Sequence, residues 1–86
     1  MESNYRQGYD ILADMLKWVK ENGANTKTRL MYATYLSHDQ IEKYLSYAEK
    51  QTLVEKREED KKATYMITEK GQEYLSAYAN LKLIVP

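Results

Sequence analysis

Within one short run the 86-residue chain places four side chains able to recognise by hydrogen bonding and charge: His38, Asp39, Gln40 and Lys43, just after Ser37. At the start of a helix lying in a major groove, such groups reach base edges, with amides and cations donating and a carboxylate accepting from cytosine amino groups. Upstream, Lys27 and Arg29 open a second short helical pattern. There the free N–H groups of a helix N-terminus would reinforce them as phosphate clamps, although ordinary surface charge accounts for them equally well. Downstream, Lys56, Arg57, Lys61 and Lys62 would straddle a neighbouring minor groove, but Glu55, Glu58, Glu59 and Asp60 offset them. Tyr32 and Tyr47 carry hydroxyls able to donate to phosphate, and packing is the more common use of such tyrosines.

Covalent chemistry has little to work with. No Ser/His/Asp set, glycine-rich phosphate loop or facing carboxylate pair is visible, so no catalytic residue is expected. The chain has no cysteine and a single histidine, which argues against a metal site or a cofactor held by thiolates. No apolar run approaches the roughly 20 residues of a membrane helix, and the opening MESNYRQGYD lacks the apolar core of a leader peptide. The expectation is an intracellular, cytoplasmic protein, nucleoid-associated if it binds DNA, without membrane or small-molecule partners.

Thirteen basic residues balance thirteen acidic ones, so global electrostatics do not point to nucleic acid. The balance is uneven along the chain. Residues 26–52 carry Lys27, Arg29, Lys43 and Lys50 against Asp39, Glu42 and Glu49, whereas residues 1–25 lean acidic. A chain this short buries only about 60% of its unfolded surface, so residues 1–86 are expected to form one thin-cored domain.

The elements that must position these groups are legible in the spacing. Ile11, Leu12, Met15, Leu16 and Val19 mark one face of a first helix, with Trp18 at its margin and Asn22-Gly23 as its end. Thr26 is a fitting N-cap for a second helix through Thr34, with Tyr35-Leu36 closing the turn after it. Ser37 with Gln40 matches a capping box, so a third helix starts at His38. In it Ile41, Tyr44, Leu45 and Ala48 face inward, while Asp39, Glu42, Lys43, Ser46 and Lys50 face out. Leu53–Arg57 and Ala63–Ile67 read as two strands around a charged turn at Glu58–Lys62. Thr68 caps a last helix over 69–85, whose stripe of Tyr74, Leu75, Tyr78, Leu81 and Ile84 must fold back on the body or pair with a second copy. The order is helix, helix, turn, helix, hairpin, helix. That is a mainly α fold with a small β-hairpin (α+β): a winged helix-turn-helix with a three-helix core, a wing and a C-terminal helix.

TRLMYATYLSHDQIEKYLSYAEKQTLVEKR followed by TYMITEKGQEYL resembles the small archaeal winged-helix family of regulators and dimeric Sulfolobus chromatin proteins. The likeness rests on Thr28–Tyr32, Leu36-Ser37, Ile67-Thr68 and Lys70-Gly71, and extends over residues 9–83. It implies double-stranded DNA as partner and a homodimer, here through Tyr74, Leu75, Tyr78 and Leu81. Three positions depart from the family pattern: Thr52 and the turn around Lys61 stand where glycine is usual, and Ala48 where a larger aliphatic residue packs. These departures bear on stability and wing geometry. The expected function is transcription regulation by a homodimer with its third helix in the major groove, through Lys27, Arg29, Ser37, His38, Asp39, Gln40, Lys43, Tyr47, Lys56, Arg57, Lys61 and Lys62. The alternatives are a protein-binding winged helix, which zero net charge favours, and a non-specific architectural chromatin protein.

Overall fold

The apolar positions at helical spacing become the inward face of α1 (Gly8–Asn22), where Ile11, Leu12, Ala13, Met15, Leu16 and Val19 are buried. The computed structural model describes residues 8–84. The leader-peptide expectation therefore falls largely on residues 1–7, outside the described residues, as does position 85 of the expected last helix. Gly23 ends α1 at φ 76°, its N–H donating to Val19 O at 2.8 Å. Glycine reaches that left-handed conformation without a Cβ clash.

Helix α2 (Lys27–Thr34) starts at Thr26, whose hydroxyl accepts from Arg29 N at 3.3 Å. Helix α3 (His38–Lys50) starts with the complete capping box. Ser37 Oγ accepts from Gln40 N at 3.2 Å and Gln40 Oε1 accepts from Ser37 N at 3.0 Å. Leu30, Leu36, Ile41, Leu45 and Ala48 meet the α1 face to form the core, closed on the other side by Leu53, Val54 and Tyr65. Each large side chain in it contributes about 1.5–3 kcal/mol through removal from water. Trp18 packs at the margin as expected, but Tyr32 does not pack: it is 71% exposed. Its position on α2 turns it away from the inner face that carries Leu30.

The wing is longer and its turn tighter than the spacing suggests. Strands β1 (Val54–Glu59) and β2 (Lys62–Ile67) pair antiparallel from Val54 opposite Ile67 to Glu59 opposite Lys62. Only Asp60 and Lys61 remain as loop, both at positive φ, 51° and 66°. Two positive-φ residues match the right-handed twist of a hairpin, which explains why the turn takes this form although neither residue is glycine. Asn25, between α1 and α2, adds a bridge to β2: Tyr65 N donates to Asn25 O at 2.8 Å and Asn25 N to Tyr65 O at 3.2 Å.

The end of α3 is a Schellman motif. Leu53 N bonds Ala48 O at 2.8 Å and Thr52 N bonds Glu49 O at 3.0 Å, with Thr52 at φ 59°. A β-branched residue is strained in that conformation by about 1 kcal/mol. Thr52→Gly and Lys61→Gly are each expected to stabilise by about 1 kcal/mol, raising the thermal midpoint by about 4–8 °C in a domain of this size. An unchanged or lower midpoint in circular dichroism would refute the strain argument. The hydrogen bond from Thr68 Oγ1 to Thr52 O, at 2.6 Å, uses the backbone and survives the change.

Helix α4 (Glu69–Ile84) is capped by Thr68, whose hydroxyl also accepts from Gly71 N at 3.0 Å. Of the two arrangements open to its stripe, the structure shows the return onto the body. Tyr74 and Leu75 pack against the core, Tyr74 donates its hydroxyl to Tyr9 O at 3.0 Å, and Tyr78 donates to the Asp10 carboxylate. Within the chain, Tyr74, Leu75 and Tyr78 pack toward α1 and the core, and Leu81, 47% exposed, lies with the exposed Leu83 and Ile84. The hydrogen bond to Asp10 pushes the Tyr78 phenol up to about 12, and burial raises Tyr74. An unfolded tyrosine ionises at about pH 10, so this contribution to α4 docking is complete below that pH and is lost as pH rises through the folded value. Alkaline absorbance titration should show a late-ionising phenol that Tyr78→Phe removes; simultaneous ionisation of all tyrosines would contradict it.

Candidate nucleic-acid interface

Asp39, Lys43, Ser46 and Lys50 recur at helical spacing on the side of α3 opposite Ile41, Leu45 and Ala48, and all four are exposed. The core burial of one face thus turns the other to solvent. His38 and Gln40 are exposed at the amino end, with Ser37 fixing that end through the capping box. Lys50, absent from the expected set, extends the outward face by two turns beyond Lys43. The amphipathic pattern already placed it there.

Lys27 and Arg29 fare differently. Lys27 is half-buried and its ammonium pairs with the Glu42 carboxylate on α3, while Arg29 is exposed. His38 Nε2 lies 3.7 Å from the same Glu42 carboxylate. The hydrogen bond from Lys27 is the largest influence holding Glu42 below the usual carboxylate value. Glu42 therefore cross-links α2 to α3 rather than presenting a free negative charge, and Lys27 is committed before any phosphate arrives.

Strand alternation settles which wing charges share a face. Val54, Lys56 and Glu58 lie on the side of Tyr65 and Ile67, and Lys56 pairs with Glu58 at 3.5 Å. Glu55, Arg57 and Glu59 lie on the other side, opposite Met66, Thr64 and Lys62. Arg57, Lys61 and Lys62 are exposed, Lys61 at the turn itself. Of the wing cations nominated from sequence, only Lys56 has a partner among the described ion pairs.

Two aromatic residues of α2 and the turn after it stand exposed: Tyr32, whose hydroxyl the sequence offers either to phosphate or to packing, and Tyr35, which the sequence assigns only to the turn. Tyr35 is 91% exposed while held at φ 59° as the residue after α2. The sequence carries no signal for Tyr35, since its left-handed backbone is imposed by the turn that brings Leu36 into the core. Tyr47, 51% exposed, faces a cleft shared with α1 and α4.

A three-helix core, a capped third helix with one solvent face and a two-stranded wing define a winged helix, a fold used by DNA-binding transcription regulators. The chain belongs to the winged helix-turn-helix family, whose profile matches residues 5–85. No curated protein matches its sequence. Among solved structures it is similar to Sso10a-2, a DNA-binding protein from Sulfolobus solfataricus, with 24% identity, 92% of this chain and 81% of that one covered, and a TM-score of 0.81. It is also similar to MepR, a transcription regulator of a Staphylococcus aureus multidrug efflux pump, at 12% identity and a TM-score of 0.73, over 84% of this chain and 56% of that one. A MepR variant bound to an oligodeoxyribonucleotide matches at 13% identity, with the same coverage and TM-score. This chain spans just over half of MepR. At these identities the likeness establishes the fold. Within it, no described helix is long and apolar enough to cross a membrane.

Proposed function

We propose that the chain is a transcription regulator that binds double-stranded DNA as a homodimer, residues 1–86 acting as one winged-helix unit with α3 in the major groove. The observation that carries this reading is the exposed polar face of α3, with Lys43 and Lys50 outward and Arg29, Arg57, Lys61 and Lys62 as further exposed cations. His38, Asp39 and Gln40 then read base edges, Ser37 holds the helix end, and Arg29 and the wing cations position the protein on phosphates. Lys27, Lys56 and Tyr47 take secondary parts, since each is already engaged or turned toward a cleft. The DNA-bound MepR variant and the DNA-binding Sso10a-2 support the choice of partner.

The homodimer is proposed through the exposed end of α4, where Leu83 and Ile84 and the uncovered part of Leu81 present apolar surface to solvent. A two-fold pair would set two recognition helices for a symmetric site.

Fluorescence anisotropy with a random-sequence duplex tests the reading. Micromolar binding is expected at low salt, with log K falling linearly in log salt by about 0.9 per phosphate contacted. Binding that is absent at low salt, or independent of salt, would overturn it and favour the protein-binding alternative.

A further inference from the structure

Four of the nine tyrosines converge between α1, α3 and α4, where Tyr9, Leu12, Lys43, Tyr44, Tyr47 and Tyr74 line a cleft of about 470 Å³. That volume lies within the range of about 300–1,000 Å³ typical of small-molecule sites. Leu12 is buried and Tyr44 and Tyr74 pack against the core, so these parts of the wall are anchored. Tyr9 and Tyr47 stay half exposed, at 50% and 51%. The lining is largely apolar, and Lys43 is its one charged side chain among the described residues.

The charge decides the occupant. Lys43 Nζ stands 5.4 Å from the Tyr44 ring centroid and has no carboxylate within ion-pair distance among the described residues. The nearby Asp10 carboxylate is engaged by Tyr78 and lies 3.7 Å from Lys82. Tyrosine faces otherwise attract cations, but an ammonium already sits over one of them and repels a second. A flat apolar body packs well against tyrosine rings, and an anionic end is drawn to Lys43. We propose that this cleft binds a small flat carboxylate, its ring system against Tyr9, Tyr47 and Tyr74 and its anion on Lys43. Lys43 and Tyr47 also belong to the proposed DNA surface, so occupancy withdraws them from the duplex. That consequence rests on the DNA reading; binding in the cleft does not.

Amide NMR titrations of the full chain without DNA, using naphthoate, naphthalenemethanol and naphthylmethylamine, test the site. Saturable shifts are expected at Leu12, Tyr44 and Tyr47, with the carboxylate bound about tenfold tighter than the alcohol and the amine weakest, the ratio expected of one charge-assisted hydrogen bond. Lys43→Gln should erase the tenfold preference, and Tyr9→Ala should weaken all three probes, since the Tyr9 group that holds Tyr74 is a backbone carbonyl. Equal affinities, or no saturation at millimolar probe, would overturn the proposal. So would the same shifts on dilution alone, which would assign the cleft to a second copy. Naphthoate should also weaken duplex binding by the wild-type chain; a saturated cleft with unchanged duplex affinity would overturn the coupling. A chain that binds naphthoate but no duplex would refute the DNA reading and leave the cleft site standing.

Discussion

Gly71→Ala is expected to destabilise the protein by about 3 kcal/mol, toward the upper end for overpacking, and to lower the thermal midpoint by ten degrees or more. Local reasoning gives the opposite sign, because alanine in a helix is favoured over glycine by about 1 kcal/mol. Gly71 lies in the first turn of α4, buried against the chain that leaves α3. A Cβ built on it would stand 2.3 Å from Leu53 O and 2.7 Å from Ile67 Cγ1. Neither neighbour gives easily. Leu53 O accepts from Thr68 N at 3.0 Å, and Ile67 ends β2 opposite Val54. Relieving the contact must push α4 outward, straining the Thr68 cap and the Tyr74 and Tyr78 contacts with α1. Denaturant and thermal unfolding of the single variant decide between the two signs. A midpoint equal to or above wild type would show that the close approach is not a constraint.

The glycine illustrates how much of the architecture the chain declares and where it stops. Periodicity in α1 and α3, the N-caps Thr26 and Thr68 and the Ser37–Gln40 box are local codes, each read over a few residues, and the structure follows them. What the sequence hides depends on partners distant along the chain. Lys27 and Glu42 lie fifteen positions apart, and no spacing rule announces that the ammonium will be taken by α3 before it can serve a phosphate. Asn25 lies between α1 and α2, and its bridge to Tyr65 exists only once the wing has folded beside it. The stripe on α4 specifies a buried side but not the surface that buries it; Tyr9 and Asp10 on α1 supply that. Tyr32 shows the same limit in reverse, since tyrosine type says little about exposure on a small helix. For the proposed DNA-binding surface, the outward face of α3 is legible because the inward face is.

That division between free and committed cations yields the second large effect. Arg29→Ala combined with Lys43→Ala should weaken duplex binding by about 2 kcal/mol, roughly thirtyfold, and flatten the salt dependence by about two contacts' worth. Both side chains are exposed and neither has a carboxylate partner among the described residues, so removing them deletes attraction without freeing a buried charge. Lys27→Ala is the informative comparison. Its ammonium is neutralised by Glu42, so it has little to offer a phosphate; its removal releases a carboxylate on α3 itself and loosens the α2–α3 link. A smaller loss for Lys27→Ala than for either exposed cation, with an unaltered salt slope, is the expected pattern. Glu42→Gln should act in the opposite sense, freeing the Lys27 charge and strengthening low-salt binding. Equal losses at all three cations would mean that net charge, not the arrangement of α2 against α3, governs association, and the placement of α3 in the groove would lose its support.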